Sequence, residues 1–375
     1  MQKKEIQICT KTVLDSTLTG ISFDENGVSN FYYKFAERKQ RLFITNSEEK
    51  QRQLNLIVES IKNKQRSKRY DCIVGVSGGI DSSYVIYKAI ELGLRPLLVH
   101  FDNGWNSELA VANIESICKT LGVDLYTHVV HWHEFRDLQR SFLKASVANA
   151  EAPTDHGIFA TLYNMAIKHD VKFILDGVND ATESITDGDG INGSGGYIYA
   201  DLAHIEGIQK QFGTVQLKTY QRLSIYRKSY LRLTGKVRQI SILNLLEYNK
   251  VQALETLIDK LGYRPYDGKH HESLFTKFHQ GVYLPRKFGF DKRKLHLSDL
   301  IMSGQITRAE ALEELKKPII PHQVASDLIE YTRKKLGFSE SEFNQILTAP
   351  PKSYDNYPNQ RWIFDIYRWI TSKTK

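Results

Sequence analysis

Short apolar segments alternate with amphipathic segments between residues 71 and 177 of this 375-residue chain. The apolar segments predict strands at 71–76, 95–101, 123–130 and 171–177. Helical spacing of apolar residues predicts helices at 82–93, 106–122, 132–147 and 155–170. Strands and helices that alternate with short connections form a parallel sheet covered by helices on both faces. We therefore predict an α/β fold with a doubly wound parallel sheet, in which ligands bind at the carboxyl ends of the strands.

The flanking segments depart from this alternation. Residues 1–46 look irregular or hairpin-like, and residues 47–66 have the spacing of an amphipathic helix. The glycine-rich segment 184–200 predicts a long loop beside the strand ends. Helical patterns dominate after about residue 235. These changes predict an N-terminal element with its helix at 1–66, a sheet domain at 67–235, and a helical C-terminal region at 236–375 that completes the substrate site.

The composition is that of a soluble globular protein, with 41% hydrophobic and 25% charged residues. No run reaches the roughly 18–20 apolar residues that a membrane span needs, and the first residues lack a signal-peptide core, so we expect no membrane span and a cytoplasmic protein. The scattered Cys9, Cys72 and Cys118 predict no disulfide framework. The net charge of +8 fits binding of anionic small molecules or of nucleic acid. Because the charge is dispersed and no RNA-binding motif occurs, nucleic acid is the weaker interpretation.

A glycine loop, SGGIDSS, connects the first predicted strand to its helix. The two glycines permit close backbone approach, and the N–H groups at a helix start bind anions. The loop matches neither the Walker pattern nor GxGxxG. A carboxylate in a phosphate site repels phosphate unless a cation lies between them, so Asp81 implies Mg²⁺. The loop residues expected to contact the bound phosphate are Ser77, Gly78, Gly79, Asp81, Ser82 and Ser83.

The loop resembles the SGGxDS signature of the PP-loop ATP pyrophosphatases, which have an adenine nucleotide alpha-hydrolase-like fold and cleave ATP between the α and β phosphates. The segment ILDGVNDATES (174–184) is similar to a glycine–asparagine–glutamate segment of NAD-synthetase-like members. That resemblance implies that Glu183 is a second Mg²⁺ ligand, that Gly177 lies at the nucleotide, and that Asn179 lies near the substrate. Asp102, which follows the second strand, is expected to contact the nucleotide.

Several segments together resemble a narrower family, the N-acetyl sugar amidotransferases of the WbpG and PseA type in lipopolysaccharide and flagellar-glycan biosynthesis. The longest of them spans residues 266–315, and the resemblance covers nearly the whole chain. It implies conversion of an N-acetyl group on a sugar, often a nucleotide-linked one, into an acetamidino group. It also implies partners: a separate glutaminase that resembles the one in histidine biosynthesis, and a cyclase-like companion, which together supply ammonia. The candidate sugars are a UDP-linked N-acetylated mannosamine uronic acid and a nonulosonic acid such as pseudaminic acid.

A basic cluster in the C-terminal region, GKHHESLFTKF, is expected to reach the phosphates or the sugar. Lys269 or Lys277 would balance the charge of the leaving pyrophosphate, and His270 or His271 would take the proton from ammonia. A solvated helix start is the alternative interpretation. Further substrate contacts are expected from Asp155, His156, Glu272 and Arg293. Asp155 fits a helix N-cap equally well.

The N-terminal element departs from the family pattern. Many relatives carry two cysteine pairs spaced like a zinc ribbon, and here only Cys9 remains, with Thr12, Ser29 and Tyr32 at the other positions. One thiolate does not make a tetrahedral structural zinc site. We therefore predict no zinc and an element held by packing.

Two other functions compete with the amidotransferase. A PP-loop tRNA-modifying enzyme, a thiolase or one similar to lysidine synthetase, would suit the basic charge, although no reactive cysteine pair is evident for thiolation. A non-catalytic ATP-sensing partner of a glutaminase is the second, and the intact Asp81 and Glu183 argue against it.

Overall fold

A single parallel sheet organises the part of the chain that the computed structural model describes, residues 6–42, 47–185, 200–266, 272–363 and 365–366. Within these residues five strands pair in the order β3-β2-β1-β4-β5, and every pair is parallel. The strands are β1 (Cys72–Gly75), β2 (Pro96–Asp102), β3 (Leu125–Val129), β4 (Phe173–Asp176) and β5 (Arg238–Ser241). The predicted α/β parallel-sheet fold is thereby confirmed.

The strand order reverses direction at the centre of the sheet. From β1 the chain moves outward to β2 and β3 on one side, and then returns to place β4 and β5 on the other. Val74 of β1 pairs with Leu98 of β2 and Leu175 of β4, and all three side chains are buried. Strands that are buried on both faces read as continuous apolar runs, which is the pattern of these segments. The crevice beyond the carboxyl ends of β1 and β4 is the expected ligand site.

The described residues form sixteen α-helices. They are α1 (Asn30–Leu42), α2 (Ser47–Gln65), α3 (Ile80–Glu91), α4 (Glu108–Leu121), α5 (Trp132–Ala145), α6 (Ala152–Lys168), α7 (Asp180–Glu183), α8 (Leu202–Phe212), α9 (Ile225–Leu233), α10 (Lys250–Leu261), α11 (Leu274–Phe278), α12 (Leu284–Phe288), α13 (Arg293–Met302), α14 (Arg308–Lys316), α15 (His322–Leu336) and α16 (Glu340–Thr348). No helix among the described residues has the length and apolar character needed to span a membrane.

Three hydrophobic cores join these layers. On one face of the sheet α2, α3, α4 and α10 pack around β1, and on the other α6 and α9 pack against β1, β2 and β4. A third core joins α5 and α8 to α11, α15 and α16 of the C-terminal region. The C-terminal region is therefore packed directly against the sheet domain beside the ends of β2 and β3.

Two elements differ from the sequence-based expectations. Residues 1–46 were expected to be irregular, yet α1 is a helix whose Phe31 and Phe35 pack against Leu284 and Phe290. These partners are distant in sequence, so the local pattern does not reveal the helix. The short edge strand β5 also went unpredicted, because RQIS is polar and has a single fully buried side chain, Ile240. It lies beyond residue 235, and the domain boundaries stay a prediction.

The N-terminal element contains a small cluster of hydrogen-bonded polar groups, which we call the N-terminal cluster. Cys9, Thr12 and Ser29 are all fully buried, and Cys9 Sγ accepts a hydrogen bond from the N–H of Ser29 at 3.3 Å. Burial would raise the pKa of the Cys9 thiol, but hydrogen bonds from Ser29 and Thr12 lower it. The guanidinium of Arg308 on α14 donates to the carbonyls of Thr12 (2.9 Å) and Cys9 (3.0 Å). Three of the four positions that the resemblance compares with zinc ligands thus meet; the absence of zinc stays a prediction.

Candidate functional site

The glycine loop lies between β1 and α3 and is closed by hydrogen bonds of its own serines. Gly79 N–H donates to Ser77 Oγ (3.2 Å), while the hydroxyls of Ser82 (3.1 Å) and Ser83 (2.7 Å) donate to the Gly79 carbonyl. Ser83 is buried, whereas Ser77 and Ser82 are half-buried and reach the loop opening. α3 begins at Ile80 with Gly79 as its N-cap, so the first N–H groups of the helix point toward this opening.

The end of β4 touches the same loop. A Cβ atom on Gly177 would lie 3.1 Å from the Asp81 carbonyl carbon and 3.1 Å from the Ser82 nitrogen. A side chain here would have to displace the loop backbone by a few tenths of an ångström, so glycine suits this close approach. Asp176 accepts hydrogen bonds from Gln239 Nε2 (2.6 Å) and the Val178 N–H (3.1 Å), while its burial raises the pKa of the carboxyl group.

The two predicted metal ligands lie near one phenol. Tyr248 donates a hydrogen bond to Asp81, and burial, Asp81 and then Glu183 all raise the pKa of Tyr248. Asp81 contacts this hydroxyl directly, whereas Glu183 acts on it only electrostatically. Two carboxylates beside a phosphate nest fit Mg²⁺, which prefers oxygen ligands and completes its shell with phosphate and water. Among the described residues no three His, Cys, Asp or Glu side chains cluster as a protein-only metal site.

Asn179, which was expected to contact substrate, holds the segment of Glu183. Its Oδ1 accepts from the N–H of Thr182 at 2.9 Å, and its Nδ2 donates to the Gly177 carbonyl at 3.2 Å. The side chain is buried and caps α7. In this structure Asn179 joins Glu183 to the end of β4. Residues 186–199, which include most of the predicted glycine-rich loop, lie outside the described residues.

The end of β2 carries a hydrogen-bonded chain beside the loop. Asp102 Oδ1 accepts from the Gly104 N–H (2.9 Å) and from Asn106 Nδ2 (3.2 Å). Asn106 Nδ2 also lies 2.9 Å from His100 Nε2, and His100 Nδ1 lies 2.8 Å from the Val76 carbonyl. These partners assign the proton to Nδ1 of His100. The sequence reasoning missed His100 and Asn106, although a histidine inside an apolar strand is a signal that could have found the first.

The C-terminal region meets the glycine loop at Glu272. Ser107 N–H donates to the Glu272 carbonyl and Leu274 N–H to the Trp105 carbonyl, both at 2.9 Å. A Cβ atom on Gly79 would lie 2.9 Å from Glu272 Oε1, so this carboxylate stands directly beside the phosphate loop. Lys277 follows one turn later on α11 and is half-buried. The predicted Lys269, His270 and His271 lie outside the described residues.

The remaining predicted substrate residues have structural partners. His156 is buried, and its Nε2 accepts a hydrogen bond from the Leu223 N–H at 3.1 Å. Asp155 lies near Tyr220, whose pKa is raised by burial and then by that carboxylate. Arg293 pairs with Asp291 (2.8 Å) and donates to carbonyls at the end of α14. The structure does not place Arg293 in the loop contacts described above, and the substrate roles of all three stay predictions.

Comparison with known proteins addresses the C-terminal region first. Residues 272–371 match the model of the family described as "LPS biosynthesis protein WbpG-like, C-terminal domain". We call this matched segment, residues 272–371, the WbpG-like domain. The match begins at Glu272, where that region meets the ends of β2 and the phosphate loop, and it confirms the resemblance predicted from the sequence.

One curated relative matches about a third of the chain. A glutamine-hydrolyzing GMP synthase of Pyrobaculum aerophilum is 32% identical over 134 residues, which is 33% of this chain and 24% of that protein. The chain therefore matches about a quarter of the length of this relative.

Two solved structures are distantly similar to this chain. An NMN synthetase from Francisella tularensis is 14% identical, with 62% of this chain and 92% of that chain covered and a TM-score of 0.31. An NH3-dependent NAD synthetase from Campylobacter jejuni is 12% identical, with 78% and 97% covered and a TM-score of 0.30. The residue assignments rest on the geometry above rather than on these likenesses.

Proposed function

We propose that this protein is an ATP-dependent amidotransferase that converts the N-acetyl group of a nucleotide-linked sugar into an acetamidino group, with release of AMP and pyrophosphate. The observation that carries the proposal is the junction at Glu272. There the first residues of the WbpG-like domain stand beside Gly79 of a phosphate loop that contains Asp81. A sugar site supplied by that domain would adjoin bound ATP at this junction.

The chemistry explains why ATP is needed. An amide carbon is a poor electrophile, and its oxygen is a poor leaving group. Attack of the acetamido oxygen on the α-phosphorus forms an O–P bond and breaks the α–β bond, which releases pyrophosphate. Ammonia then adds to the imidate carbon and loses a proton, and the C–O bond breaks as AMP departs. The oxygen leaves with AMP, so NH replaces O in the product.

Named residues of the chain would serve these steps. The N–H groups at the start of α3 and the hydroxyls of Ser77 and Ser82 would hold the leaving pyrophosphate. Asp81 and Glu183 would hold Mg²⁺, which when bound offsets phosphate charge. Lys277 would lie on the pyrophosphate side, and His270 or His271 would accept the proton from ammonia. Catalysis would then rest on positioning and charge stabilisation.

The proposal includes a source of ammonia and a location. We propose a separate glutaminase with a cyclase-like companion as the donor, and a cytoplasmic site of action. The matched GMP synthase is described as glutamine-hydrolyzing, which supports a link to glutamine chemistry, although the match covers only a quarter of that protein. The sugar belongs to surface-polysaccharide or flagellin-glycan synthesis under this proposal, as the description of the matched family supports.

Mass spectrometry of products tests this function. The purified protein is incubated with ATP, Mg²⁺, ammonium and candidate N-acetylated sugars, namely the UDP-linked mannosamine uronic acid and the nonulosonic acid. We expect a product in which NH replaces one oxygen, in equal amount to AMP and pyrophosphate. Glutamine in place of ammonium should give no product without an added glutaminase. Formation of ADP and phosphate would contradict cleavage at the α–β bond.

A matched pair of variants ties the activity to the loop. Asp81→Asn should lower the rate by about a hundredfold or more, because the metal ligand is lost. Asp259→Asn on α10, whose carboxylate is 70% exposed, should leave the rate unchanged. Product formation that is insensitive to Asp81→Asn would instead support an ATP-sensing role, and a salt-sensitive shift of tRNA on a gel would support the tRNA-modifying alternative.

A further inference from the structure

Two tyrosines outside the glycine loop donate hydrogen bonds to the same loop carbonyl. Tyr263 OH lies 2.9 Å and Tyr266 OH lies 3.1 Å from the carbonyl oxygen of Gly78. Both residues follow α10, more than 180 positions after the loop in sequence. Tyr266 is the first residue of the segment 266–315 described above, no motif includes Tyr263, and the proposed chemistry uses neither side chain.

The acceptor is the carbonyl of the Gly78–Gly79 peptide, which has a glycine on each side. Gly78 has a left-handed φ of +85°, and Gly79 is extended with φ −76° and ψ 164°. With no Cβ on either side, the peptide between the two glycines rotates at little steric cost. The carbonyl and N–H of one trans peptide point in opposite directions, so whatever fixes the Gly78 carbonyl also fixes the Gly79 N–H. Here that N–H points to Ser77 Oγ at 3.2 Å, inside the nest.

The two phenols are themselves held in place. Asn113 on α4 donates through Nδ2 to Tyr266 OH (3.3 Å) and to the Arg264 carbonyl (2.9 Å). Asn113 Oδ1 also accepts from the Arg264 N–H at 2.9 Å, so the amide of Asn113 makes two hydrogen bonds with the backbone between Tyr263 and Tyr266. Tyr263 is 2% exposed, and burial raises the pKa of Tyr266 to about 12. Both hydroxyls therefore keep their protons at neutral pH and remain donors.

We infer that Tyr263 and Tyr266 are positioning residues that hold the Gly78–Gly79 peptide in the orientation that binds pyrophosphate. If the peptide rotated, the Gly78 carbonyl oxygen would face the phosphates, and its partial negative charge would repel them. The two donors remove that alternative before the ligand arrives, so binding does not carry the cost of selecting a minor conformer. This inference rests on the proposed function, because it names what orders the ATP site.

Because two hydroxyls donate to one carbonyl, single and double variants should lose pyrophosphate affinity to different extents. Either phenol alone still orients the carbonyl, so each single change to phenylalanine removes only part of the restraint. Removing both frees the peptide. We expect Tyr263→Phe and Tyr266→Phe each to weaken pyrophosphate binding by about threefold, and the double variant by roughly thirtyfold, which exceeds the product of the singles.

Calorimetric titration of the full chain with Mg²⁺-pyrophosphate, and separately with ATP, measures these affinities. The matched control is the double variant Tyr226→Phe/Tyr230→Phe on α9, whose rings are 61% and 52% exposed, and it should bind as the wild type does. A purely structural role would lower the melting temperature without changing affinity. Wild-type affinity in the folded double variant would overturn the inference. If the double variant does not fold, Tyr266→Phe decides, and unchanged affinity again overturns it.

The proposed function fails separately from this inference. If the wild-type protein binds neither ATP nor pyrophosphate, the ATP-dependent function itself is wrong. If the wild type binds both and the tyrosine variants bind equally well, only the positioning role is wrong.

Discussion

His204 illustrates how burial fixes the charge of a single residue. Its side chain is fully buried, its ring centroid lies 4.2 Å from that of Tyr354, and its Nδ1 lies 3.2 Å from the Pro358 carbonyl. Burial lowers the pKa of His204 to about 4. The neutral imidazole is therefore part of the folded structure at neutral pH, and it connects α8 to the segment after α16.

This pKa predicts a pH dependence of stability. Between the ordinary histidine pKa and about pH 4 the unfolded chain binds a proton that folded His204 does not, so stability falls as the pH decreases through this window. The contribution, about 3 kcal/mol, is present above pH ~6.5 and is lost toward pH ~4. Urea unfolding at a series of pH values measures it. His204→Gln should flatten the curve, whereas His322→Gln at an exposed position should not. Equal slopes for the wild type and His204→Gln would refute the assignment.

At the scale of elements, the N-terminal cluster is held in part by hydrogen bonds from α14. Arg308 spans the carbonyls of Cys9 and Thr12, and Lys294 on α13 pairs with Asp15. Within the N-terminal cluster, Cys9 Sγ accepts a hydrogen bond from the Ser29 N–H. The contacts of Arg308 and Lys294 join this cluster to the C-terminal region. The Arg308 guanidinium therefore stabilises the backbone turn at residues 9–12 from a different element of the fold.

Arg308→Gln should destabilise the N-terminal cluster more than the rest of the protein. The loss of charge-assisted hydrogen bonds to buried carbonyls is expected to lower the free energy of unfolding by about 1–3 kcal/mol. Amide exchange should accelerate first at residues 9–16, where Cys9 N–H bonds to Leu14 and Ser16 N–H to Gln7. Arg52→Gln on the exposed face of α2 is the control and should leave this exchange unchanged. Unchanged protection in Arg308→Gln would show that packing alone holds the element.

At the scale of the whole molecule, a buried acid joins the sheet domain to the WbpG-like domain. Glu151, at the start of α6, accepts a hydrogen bond from Thr276 and lies 3.3 Å from His279 Nδ1. Burial would raise the pKa of Glu151, but the contacts from His279 and Thr276 outweigh it and lower it. His279 Nε2 also lies 2.8 Å from the Ala148 carbonyl. The contact falls at the π-helical turn His279–Tyr283, between α11 and α12.

Glu151→Gln should therefore destabilise the whole protein. The change removes a buried carboxylate that accepts from the Thr276 hydroxyl and lies beside His279, and we expect a loss of about 1–3 kcal/mol in the free energy of unfolding. Chemical denaturation followed by fluorescence measures it. Glu91→Gln breaks an exposed pair with Lys88 and should have little effect. A loss below about 1 kcal/mol for Glu151→Gln would mean that this carboxylate contributes little to joining the two domains.

Local patterns were sufficient for the central elements but not for the edges. The apolar runs around Val74 and Leu175 predicted buried strands because their neighbours in sequence are also buried. α1 was missed because Phe31 and Phe35 pack on partners some 250 positions away. β5 was missed because an edge strand of four residues carries little apolar signal.

The sequence by itself determined the loop and its helix start, and it predicted Asp81 as a metal ligand there. These follow from residue type and spacing within one strand–turn–helix unit, where the interactions are local. It also indicated Glu183, whose segment follows another strand that ends at the same edge. Only the tertiary structure brought Tyr248, Tyr263 and Tyr266 to that loop, because their hydroxyls act across contacts between distant elements. Hydrogen bonds of that kind have no sequence period, so no pattern along the chain announces them.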